Sequence, residues 1–337
     1  MKDVEYKRLE SLVEKAQLGT IISVEKVTGG LSHRMYKVTT NKGIYAIKEL
    51  NPGIMKREEA YLNFVFSEKV TEIVKENRIN AIGTILVDGN YISKIDDYYF
   101  MIFQWVEGKI LKADEITQRH CEIIGEILAK IHNIDFSSIE DEKRKNLILE
   151  QFEWNKYIDI LENQNKPYTE KLKQNIDILY RLNKEAVKAL EYANTNLVIS
   201  HRDLDRKNIM WQADIPFIID WEASGYTNPT IELIQVAWYW SGGDVRNINY
   251  DKFKNIITSY KKYYKGNVDN QIDILVKADI YGGLNWLNYN LERSLCIENN
   301  YEQDEIELAE NEILQSIEEI KYNESQFEKI LEIFKDI

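Results

Sequence analysis

The sequence is poor in cysteine, proline and glycine. Its 337 residues contain 2 cysteines, 4 prolines and 15 glycines. Cys121 and Cys296 alone do not make a disulfide framework, which excludes a small disulfide-stapled protein and favours a reducing compartment. The low proline and glycine content argues against long disordered stretches and predicts a helix-rich fold.

Long apolar runs are also missing. No stretch approaches the roughly 18 apolar residues that a membrane span requires, so we predict no transmembrane segment and no membrane partner. The opening residues, MKDVEYKRLE, are charged and do not resemble a secretory signal peptide. Together with the scarcity of cysteine, this predicts a cytoplasmic protein.

Basic residues are outnumbered by acidic ones. The chain has 43 lysines and arginines against 56 acids, for a net charge of −13, and residues 298–337 alone hold 13 acids and 3 bases. Nucleic acid is not an expected partner, because neutralising its phosphates requires a basic face. A cationic small molecule is compatible with this charge, although an acidic surface also serves solubility alone.

Short strands dominate the first third of the sequence and helices the rest. Residues 22–50 predict three strands with a hairpin turn at Asn41-Lys42-Gly43, and 79–102 predict two or three more. Apolar residues at helical spacing predict further elements. These helices are expected at 3–17, 56–70, 113–135, about 150–163, 168–193, 231–240, 250–265 and 270–292, with acidic amphipathic helices at the end.

The stretch HRDLDRKN at 201–208, followed by FIIDWE at 217–222, carries the most chemistry. Asp203 is followed by Asn208 and then by Asp220. A phosphoryl-transfer site needs a carboxylate that orients the attacking hydroxyl and accepts its proton, together with oxygen ligands for Mg²⁺. Asp203 fits the first role. The amide oxygen of Asn208 and the carboxylate of Asp220 fit the second, since Mg²⁺ prefers hard oxygen ligands.

The residues around this stretch predict a loop and a hairpin. LVIS (197–200) is a short apolar run that enters the loop, IMW (209–211) leaves it, and PFIID (216–220) predicts a strand that ends at the acid. A catalytic loop is therefore followed by a hairpin whose far end carries the metal-binding carboxylate. The alternative interpretation is a charged surface loop beside an unrelated strand.

The HxDxxxxN and IDW motifs resemble those of the aminoglycoside phosphotransferase and choline kinase superfamily, small-molecule kinases with a protein-kinase-like fold. The resemblance implies a bilobal α+β fold. A small nucleotide-binding lobe, 1–105, would contain an antiparallel sheet and one helix. A mainly helical lobe, 109–337, would carry the catalytic loop and the substrate site. Asp205 occupies the place of a lysine in protein kinases, which argues against a protein kinase.

A second part of the resemblance precedes the catalytic loop. Gly29 and Gly30 lie between strands, before a strand that ends in AIK, and no GxxxxGK[ST] sequence of a P-loop is present. Two adjacent glycines alone are more often only a turn. The resemblance implies that their backbone amides and the hydroxyl of Ser32 contact the nucleotide phosphates.

Lys48, in the strand IYAIKEL, corresponds to the lysine that family members direct at the α- and β-phosphates. Without the other motifs, a lysine in an apolar strand would extend to the surface. The family pattern places a glutamate from the next helix beside this lysine. Its spacing favours Glu58, and Glu59 stays open as the alternative.

Residues 98–108, YYFMIFQWVEG, predict a buried strand that leaves into a linker. In the family this is the hinge between lobes, about 103–108, where the purine meets backbone groups. By position, Phe103 would be the gatekeeper and Gln104, Trp105 and Val106 the hinge. A core strand with an exposed turn explains the same residues without a nucleotide. A bulky gatekeeper narrows the purine pocket, so ATP and GTP both stay open as donors.

Two further residues are expected to support the catalytic loop. His201 is expected to brace it rather than to perform chemistry. Glu232 occupies the place where relatives often have an aspartate that braces the loop.

The acceptor site is the least determined part of the prediction. Trp238, Trp240 and Trp286 are interpreted either as core packing or as a wall for a cationic or sugar-like substrate, because aromatic faces attract ammonium groups. Glu222 is the acidic candidate for substrate contact.

Together, these features predict an ATP- or GTP-dependent, Mg²⁺-requiring kinase of an aminated small molecule, such as an antibiotic of the aminoglycoside type. A choline- or ethanolamine-type kinase is the alternative within the same chemistry. A catalytically silent nucleotide-binding protein is the alternative from a different class.

Overall fold

A computed structural model describes residues 3–27, 33–139, 149–297, 301 and 303–337. The chain divides into two compact units, and described residues from three separate segments make up each of them. Unit 1 draws on Met1–Asp114, Ile134–Glu140 and Ile199–Gly225, and unit 2 on Glu115–Asn133, Asp141–Val198 and Tyr226–Ile337. The catalytic segment thus belongs to unit 1. The lobes expected from sequence, 1–105 and 109–337, stay a prediction.

Unit 1 contains a five-stranded antiparallel sheet with the order β1-β2-β3-β5-β4. Two-residue turns close two of its hairpins, Asn41-Lys42 between β2 and β3, and Asp96-Asp97 between β4 and β5. The strands are β1 (Ile21–Val27), β2 (Arg34–Thr40), β3 (Gly43–Glu49), β4 (Ser93–Ile95) and β5 (Tyr98–Gln104).

The three strands predicted in 22–50 are confirmed, and the two or three strands predicted in 79–102 correspond to β4 and β5. Residues 79–92 contribute isolated bridges, such as the one between Thr84 and Phe103, and no named strand. Asp88 and Gly89 both have positive φ, at 52° and 74°, which turns the chain before a strand can extend.

Strand alternation places Lys48 on one particular face of the sheet. Tyr45 and Ile47 pack with residues of the first helix, α1 (Asp3–Lys15), on one face. Lys48 lies between Ile47 and Glu49, so its side chain projects to the opposite face. Leu50 projects to that same face and packs against Phe64 of a second long helix, α3 (Ala60–Glu76). Lys48 is therefore directed towards the α3 side of the sheet.

The helix predicted at 56–70 begins later and ends later than expected. Asn51 caps a separate short helix, α2 (Pro52–Met55), with its side chain accepting from the backbone N–H of Gly53. Residues 56–59 then form a turn, and α3 starts at Ala60. Proline at a first helical position and an asparagine cap explain why a new helix starts before the charged KREE run. As a result, Glu58 and Glu59 precede α3 instead of lying on it.

The hairpin after the catalytic loop is confirmed. Strands β7 (Ile209–Gln212) and β8 (Ile215–Ile218) pair antiparallel. Trp211 exchanges two backbone hydrogen bonds with Lys109, at 2.9 and 3.0 Å. A Cβ on Gly108 would lie 2.9 Å from the carbonyl oxygen of Trp211, so only glycine fits at this approach. The segment after β5 is thereby joined to the hairpin within unit 1.

The described part of unit 2 consists mainly of helices that pack around apolar cores. Its α4 and α8 lie so close that a Cβ on Gly125 would reach 2.5 Å from the carbonyl oxygen of Ile256. The predicted helix at 270–292 is interrupted at Asp279. The helices are α4 (Gln118–His132), α5 (Asn155–Gln164), α6 (Thr169–Ala193), α7 (Pro229–Ser241), α8 (Tyr250–Tyr263), α9 (Ile272–Ala278), α10 (Ile280–Ser294), α11 (Gln303–Ser325) and α12 (Phe327–Lys335).

Two short strands, β6 (Val198–Ser200) and β9 (Gly225–Thr227), lie where the chain passes between the units. Over the residues that the structure describes, no helix combines the length and the apolarity needed to span a bilayer.

Candidate active site

His201 is fully buried at the start of the catalytic loop. Its Nε2 lies 3.1 Å from the carbonyl oxygen of Ile219, and its Nδ1 accepts from the backbone N–H of Asp203 at 3.2 Å. A carbonyl only accepts and an N–H only donates, so the contacts require a neutral ring with its proton on Nε2. The ring also packs edge-on against Trp221, with centroids 4.6 Å apart. These contacts support the predicted bracing role.

Asp203 is held by the side chain of Asn208. The amide nitrogen of Asn208 donates to the Asp203 carboxylate at 2.9 Å and to its backbone carbonyl at 2.8 Å. With the nitrogen used in this way, the amide oxygen of Asn208 is the atom left to bind a cation. The backbone carbonyl of Asn208 accepts from the N–H of Ile219 at 2.9 Å, which brings the neighbouring Asp220 to the same place.

A lysine lies beside the expected catalytic base. Lys207 Nζ is 3.3 Å from Asp203 Oδ2 and 3.8 Å from Asp205 Oδ2. Asp205 also accepts from the backbone N–H of Arg206, which fixes the short helical turn in the loop. The ammonium is more than half exposed, so it is available to a ligand that approaches Asp203.

Burial raises the pKa of the Asp203 carboxyl above its ordinary value, although the charge of Lys207 opposes the shift. A base works best when its pKa approaches the working pH, because it is then both ionised and able to hold a proton. The environment of Asp203 therefore shifts the pKa in the direction that suits a general base.

Asp220 has left-handed backbone geometry, with φ 59° and ψ 61°. This conformation is unfavourable for a residue with a Cβ and often marks a functional position. Asp220 Oδ1 lies 2.8 Å from the ammonium of Lys48. Residues from β3, the catalytic loop and the end of β8 thus meet within unit 1, as the sequence motifs predict.

The Lys48 ammonium has a second carboxylate partner. Glu222 Oε2 lies 2.5 Å from Lys48 Nζ and 3.3 Å from Nε2 of His33. Burial disfavours the charged form of Lys48, which is 8% exposed, but Asp220 and Glu222 outweigh it and raise its pKa. The lysine is therefore a buried cation held by two acids.

The glutamates expected beside Lys48 lie elsewhere in this structure. Within the described ranges, the ion-pair partners of Lys48 are Asp220 and Glu222, and neither Glu58 nor Glu59 is among them. Both are exposed in the turn before α3. A pairing of Lys48 with Glu58 or Glu59 stays a prediction that these contacts do not support.

The chain matches a family model over residues 23–255, more than half its length, and that model describes the phosphotransferase enzyme family APH. The chain belongs to this phosphotransferase enzyme family. It is accordingly an enzyme of the small-molecule kinase class, as the motifs predicted. No curated protein sequence matches the chain.

The fold of this phosphotransferase is similar to several solved structures. Spectinomycin phosphotransferase APH(9)-Ia, in complex with ADP and spectinomycin, has a TM-score of 0.71 at 15% identity, over 94% of this chain and 98% of that one. APH(2")-IIia, in complex with GDP and kanamycin, has a TM-score of 0.62 at 14% identity, with 95% and 99% covered.

An ethanolamine kinase from Plasmodium vivax has a TM-score of 0.57 at 18% identity, with 87% of this chain and 81% of that one covered. Such identities establish the fold alone. Together with the antiparallel sheet and the helical part, they confirm the predicted kinase-like α+β class.

The phosphate-contacting positions predicted for the phosphotransferase, Gly29, Gly30 and Ser32, lie outside the described residues. The hinge positions are described. The backbone N–H of Trp105 and the side-chain amide of Gln104 each donate to the carbonyl of Ile44 at 3.1 Å. Phe103 packs in the small core beneath α3, and Val106 is half-buried. Their contact with a purine stays a prediction.

The tryptophans predicted for the acceptor site differ in exposure. Trp240 is fully buried, and Trp238 is 5% exposed and packs against Tyr322. This burial favours core packing for both. Trp286 is 37% exposed, stacks on Tyr289 and donates from Nε1 to Glu312 at 3.0 Å. Of the three, Trp286 alone has a face available to a ligand.

Glu232 and His132 form a buried pair in unit 2. His132 Nε2 lies 2.9 Å from Glu232 Oε2, and its Nδ1 lies 2.7 Å from the hydroxyl of Tyr260. These buried contacts give His132 a structural role in unit 2. The loop-bracing role of Glu232 stays a prediction.

Sequence reasoning missed His33 as a site residue. His33 follows the glycine-rich segment directly and lies far from Glu222 in the sequence, so no local pattern connects the two. Lys207 was visible in the motif, but only its distance to Asp203 shows that it lies beside the base.

The residues present fit a magnesium ion. Asn208 offers an amide oxygen and Asp220 a carboxylate, the hard donors that Mg²⁺ takes in small number from protein. The Lys48 ammonium already beside Asp220 shows that this carboxylate accepts positive charge in the folded chain.

Proposed function

We propose that the chain transfers the γ-phosphoryl group of ATP or GTP to a hydroxyl of a small cationic or aminated molecule. The observation that carries the proposal is the meeting of Lys48, Asp203, Asn208 and Asp220 in unit 1. Four residues from two distant parts of the sequence would not converge in this way on an unrelated surface loop.

In the proposed reaction, the acceptor hydroxyl attacks the γ-phosphorus in line with the bond to be broken. The new bond joins the acceptor oxygen to phosphorus, and the bond from phosphorus to the β–γ bridging oxygen breaks. Asp203 orients the hydroxyl and takes its proton. The nucleoside diphosphate leaves with the bond electrons.

The other residues prepare the phosphates for this step. Lys48 neutralises the α- and β-phosphates, and Lys207 lies close enough to Asp203 to contact the transferring group. Asn208 and Asp220 would hold Mg²⁺, which would offset the negative charge of the phosphates. A purine nucleoside triphosphate as the phosphate donor is supported by the similar structures, which contain ADP and GDP.

An aminated acceptor is supported by charge and by the similar structures. Spectinomycin and kanamycin, named in two of those complexes, are aminated compounds with several hydroxyls. The net charge of −13 attracts such cations and raises their encounter rate. We therefore place an antibiotic of this type first among the acceptors.

A choline- or ethanolamine-type acceptor is the second candidate. It is favoured by the similarity to an ethanolamine kinase and by the exposed face of Trp286 stacked on Tyr289. Such aromatic faces bind small ammonium groups with about 0.5–2 kcal/mol.

The catalytic role of Asp203 is tested by Asp203→Asn. We expect the rate of phosphoryl transfer to fall by about 10²–10⁴-fold, because the base is lost. Binding of the Mg-nucleotide, measured by thermal shift, should persist. Normal turnover by this variant would exclude Asp203 as the base.

The acceptor class is tested by a coupled assay of nucleotide consumption with aminoglycosides, spectinomycin, choline, ethanolamine and simple sugars. We expect one aminated class to stimulate turnover. Nucleotide binding without stimulation by any of these acceptors would favour a silent nucleotide-binding protein and contradict the proposed transfer.

A further inference from the structure

Two side chains beside Lys48 have no role in the reaction described above. Glu222 Oε2 contacts both the Lys48 ammonium and His33 Nε2. The backbone carbonyl of Glu222 accepts from the hydroxyl of Ser67 on α3, at 3.3 Å. The glutamate is thereby held through its side chain and its main chain.

His33 is oriented so that it supports Glu222. Its Nδ1 accepts from the backbone N–H of Asn51 at 3.0 Å, so the ring proton must lie on Nε2, the atom that faces Glu222. The ring packs edge-on against Phe64, and the His33 side chain is only 4% exposed. The imidazole is thus a fixed hydrogen-bond donor to the carboxylate.

From these contacts we propose that Glu222, oriented by His33, positions Lys48 for the nucleotide phosphates, in place of a glutamate from the α3 region. The inference rests on the proposed function. It assigns Glu222 to the nucleotide side of the site, not to the acceptor.

Lys48 needs a second carboxylate partner because Asp220 is expected to serve both the lysine and a metal ion. Asp220 is the only carboxylate among the expected Mg²⁺ ligands, and it also contacts Lys48. If Asp220 served as a metal ligand, Lys48 would need another carboxylate partner until the phosphates bind, because an unpaired buried ammonium is costly. Glu222 is in contact already and supplies it.

The other acids near α3 are not placed to pair with Lys48. Glu58 and Glu59 line a cavity of about 570 Å³ that His33 and Glu222 also line, and they do not contact Lys48. Glu68 is buried on α3, but its Oε2 accepts from the N–H and hydroxyl of Thr84, at 2.8 and 2.9 Å.

Electrostatics keep the pair charged. Burial would raise the pKa of Glu222, but the hydrogen bond from His33 and the charge of Lys48 outweigh it and hold the pKa well below its usual range.

Glu222→Gln separates this role from the alternatives. We expect the dissociation constant for ADP or GDP to rise about tenfold, both in EDTA and with Mg²⁺, because a neutral amide holds the Lys48 ammonium less strongly than a carboxylate does. Glu76→Gln, which removes the same charge at the exposed end of α3, is the matched control. Thermal unfolding checks that each variant is folded.

Three results would overturn the proposal. A loss confined to Mg²⁺-containing buffer would make Glu222 a metal ligand. A loss confined to the acceptor KM would make it an acceptor residue. A larger loss in Glu58→Gln or Glu59→Gln than in Glu222→Gln would restore the α3-side glutamate as the lysine partner.

Two further experiments test whether Glu222 acts through Lys48 and whether His33 orients Glu222. In a Lys48→Met background, Glu222→Gln should have no further effect on nucleotide affinity. His33→Phe should weaken affinity a few-fold, and His33→Gln, which retains a side-chain donor, should recover most of it. An equal effect of Glu222→Gln with and without Lys48 would show that the glutamate acts independently of the lysine.

Nucleotide binding by the wild-type protein distinguishes a failure of the proposed function from a failure of this inference. A wild-type protein that binds neither ADP nor GDP overturns the proposed function and this inference with it. Wild-type binding together with an unaffected Glu222→Gln variant overturns the inference alone.

Discussion

The two units each contain a histidine–glutamate pair, in contrasting surroundings. In unit 1, His33 and Glu222 are 3.3 Å apart, and the glutamate is one-third exposed beside Lys48. In unit 2, His132 and Glu232 are 2.9 Å apart and almost fully buried, with Tyr260 as the further partner. The first pair lines a cavity and holds the Lys48 ammonium, whereas the second is enclosed between helices. The same two residue types thus serve binding in one unit and packing in the other.

Breaking the enclosed pair should have the largest effect on stability. We expect Glu232→Ala to lower the free energy of unfolding by about 3–5 kcal/mol, because buried groups lose their partner. Urea unfolding measures the loss. A cost below about 1 kcal/mol would show that the pair in unit 2 contributes little to packing.

Breaking the pair in unit 1 should have a much smaller effect on stability. Glu222→Gln should lower the free energy of unfolding by less than about 1 kcal/mol, since partly exposed ion pairs contribute little to stability. Its main effect should be on nucleotide affinity. A stability loss as large as that of Glu232→Ala, with nucleotide affinity intact, would erase the contrast between the units.

A carboxylate without a cation partner should show a distinct pH dependence. Burial raises the pKa of Asp279 in unit 2 to about 6, with only a hydrogen bond involving Gln235 opposing the shift. The folded state then holds this proton more tightly than the unfolded state, so stability falls as pH rises from about 4 through 6. Asp279→Asn should remove this fall, worth about 1–3 kcal/mol. An unchanged pH profile of urea unfolding would contradict this prediction.

The smallest stability effect is expected at Trp286, on the surface of unit 2. Trp286→Ala should change the free energy of unfolding by less than about 1 kcal/mol, because over a third of the residue is already in water. If Trp286 contacts an ammonium group, the acceptor KM should rise several-fold while nucleotide affinity is unchanged. An unaffected KM for every active acceptor would show that Trp286 does not contact the acceptor.

The sequence predicted best those residues whose chemistry is local. His201, Asp203 and Asn208 lie within one octapeptide, and their mutual hydrogen bonds follow from that spacing. The hairpin also follows from its local pattern, whereas bringing Lys48 to Asp220 required the family resemblance, since β3 and β8 are far apart in the sequence.

The predictions that did not hold depended on packing or caps. The KREE run favours a helix, but Asn51 and Pro52 start a separate one, and the acids fall in the turn between helices. The tryptophans of α7 were ambiguous because nearly every position of that helix is buried, so it has no solvent face that periodicity could indicate. The His33–Glu222 contact has no sequence signal of any kind.

The two hydrogen bonds between Lys109 and Trp211 have a mechanical consequence. They fasten the strand exit, where a purine base is expected, to the hairpin that follows the catalytic loop. A displacement of the segment after β5 is therefore passed to the hairpin through backbone hydrogen bonds. Replacing Gly108 would push the segment around Lys109 away from Trp211. We expect such a variant to fold but to align the phosphate donor poorly with Asp203.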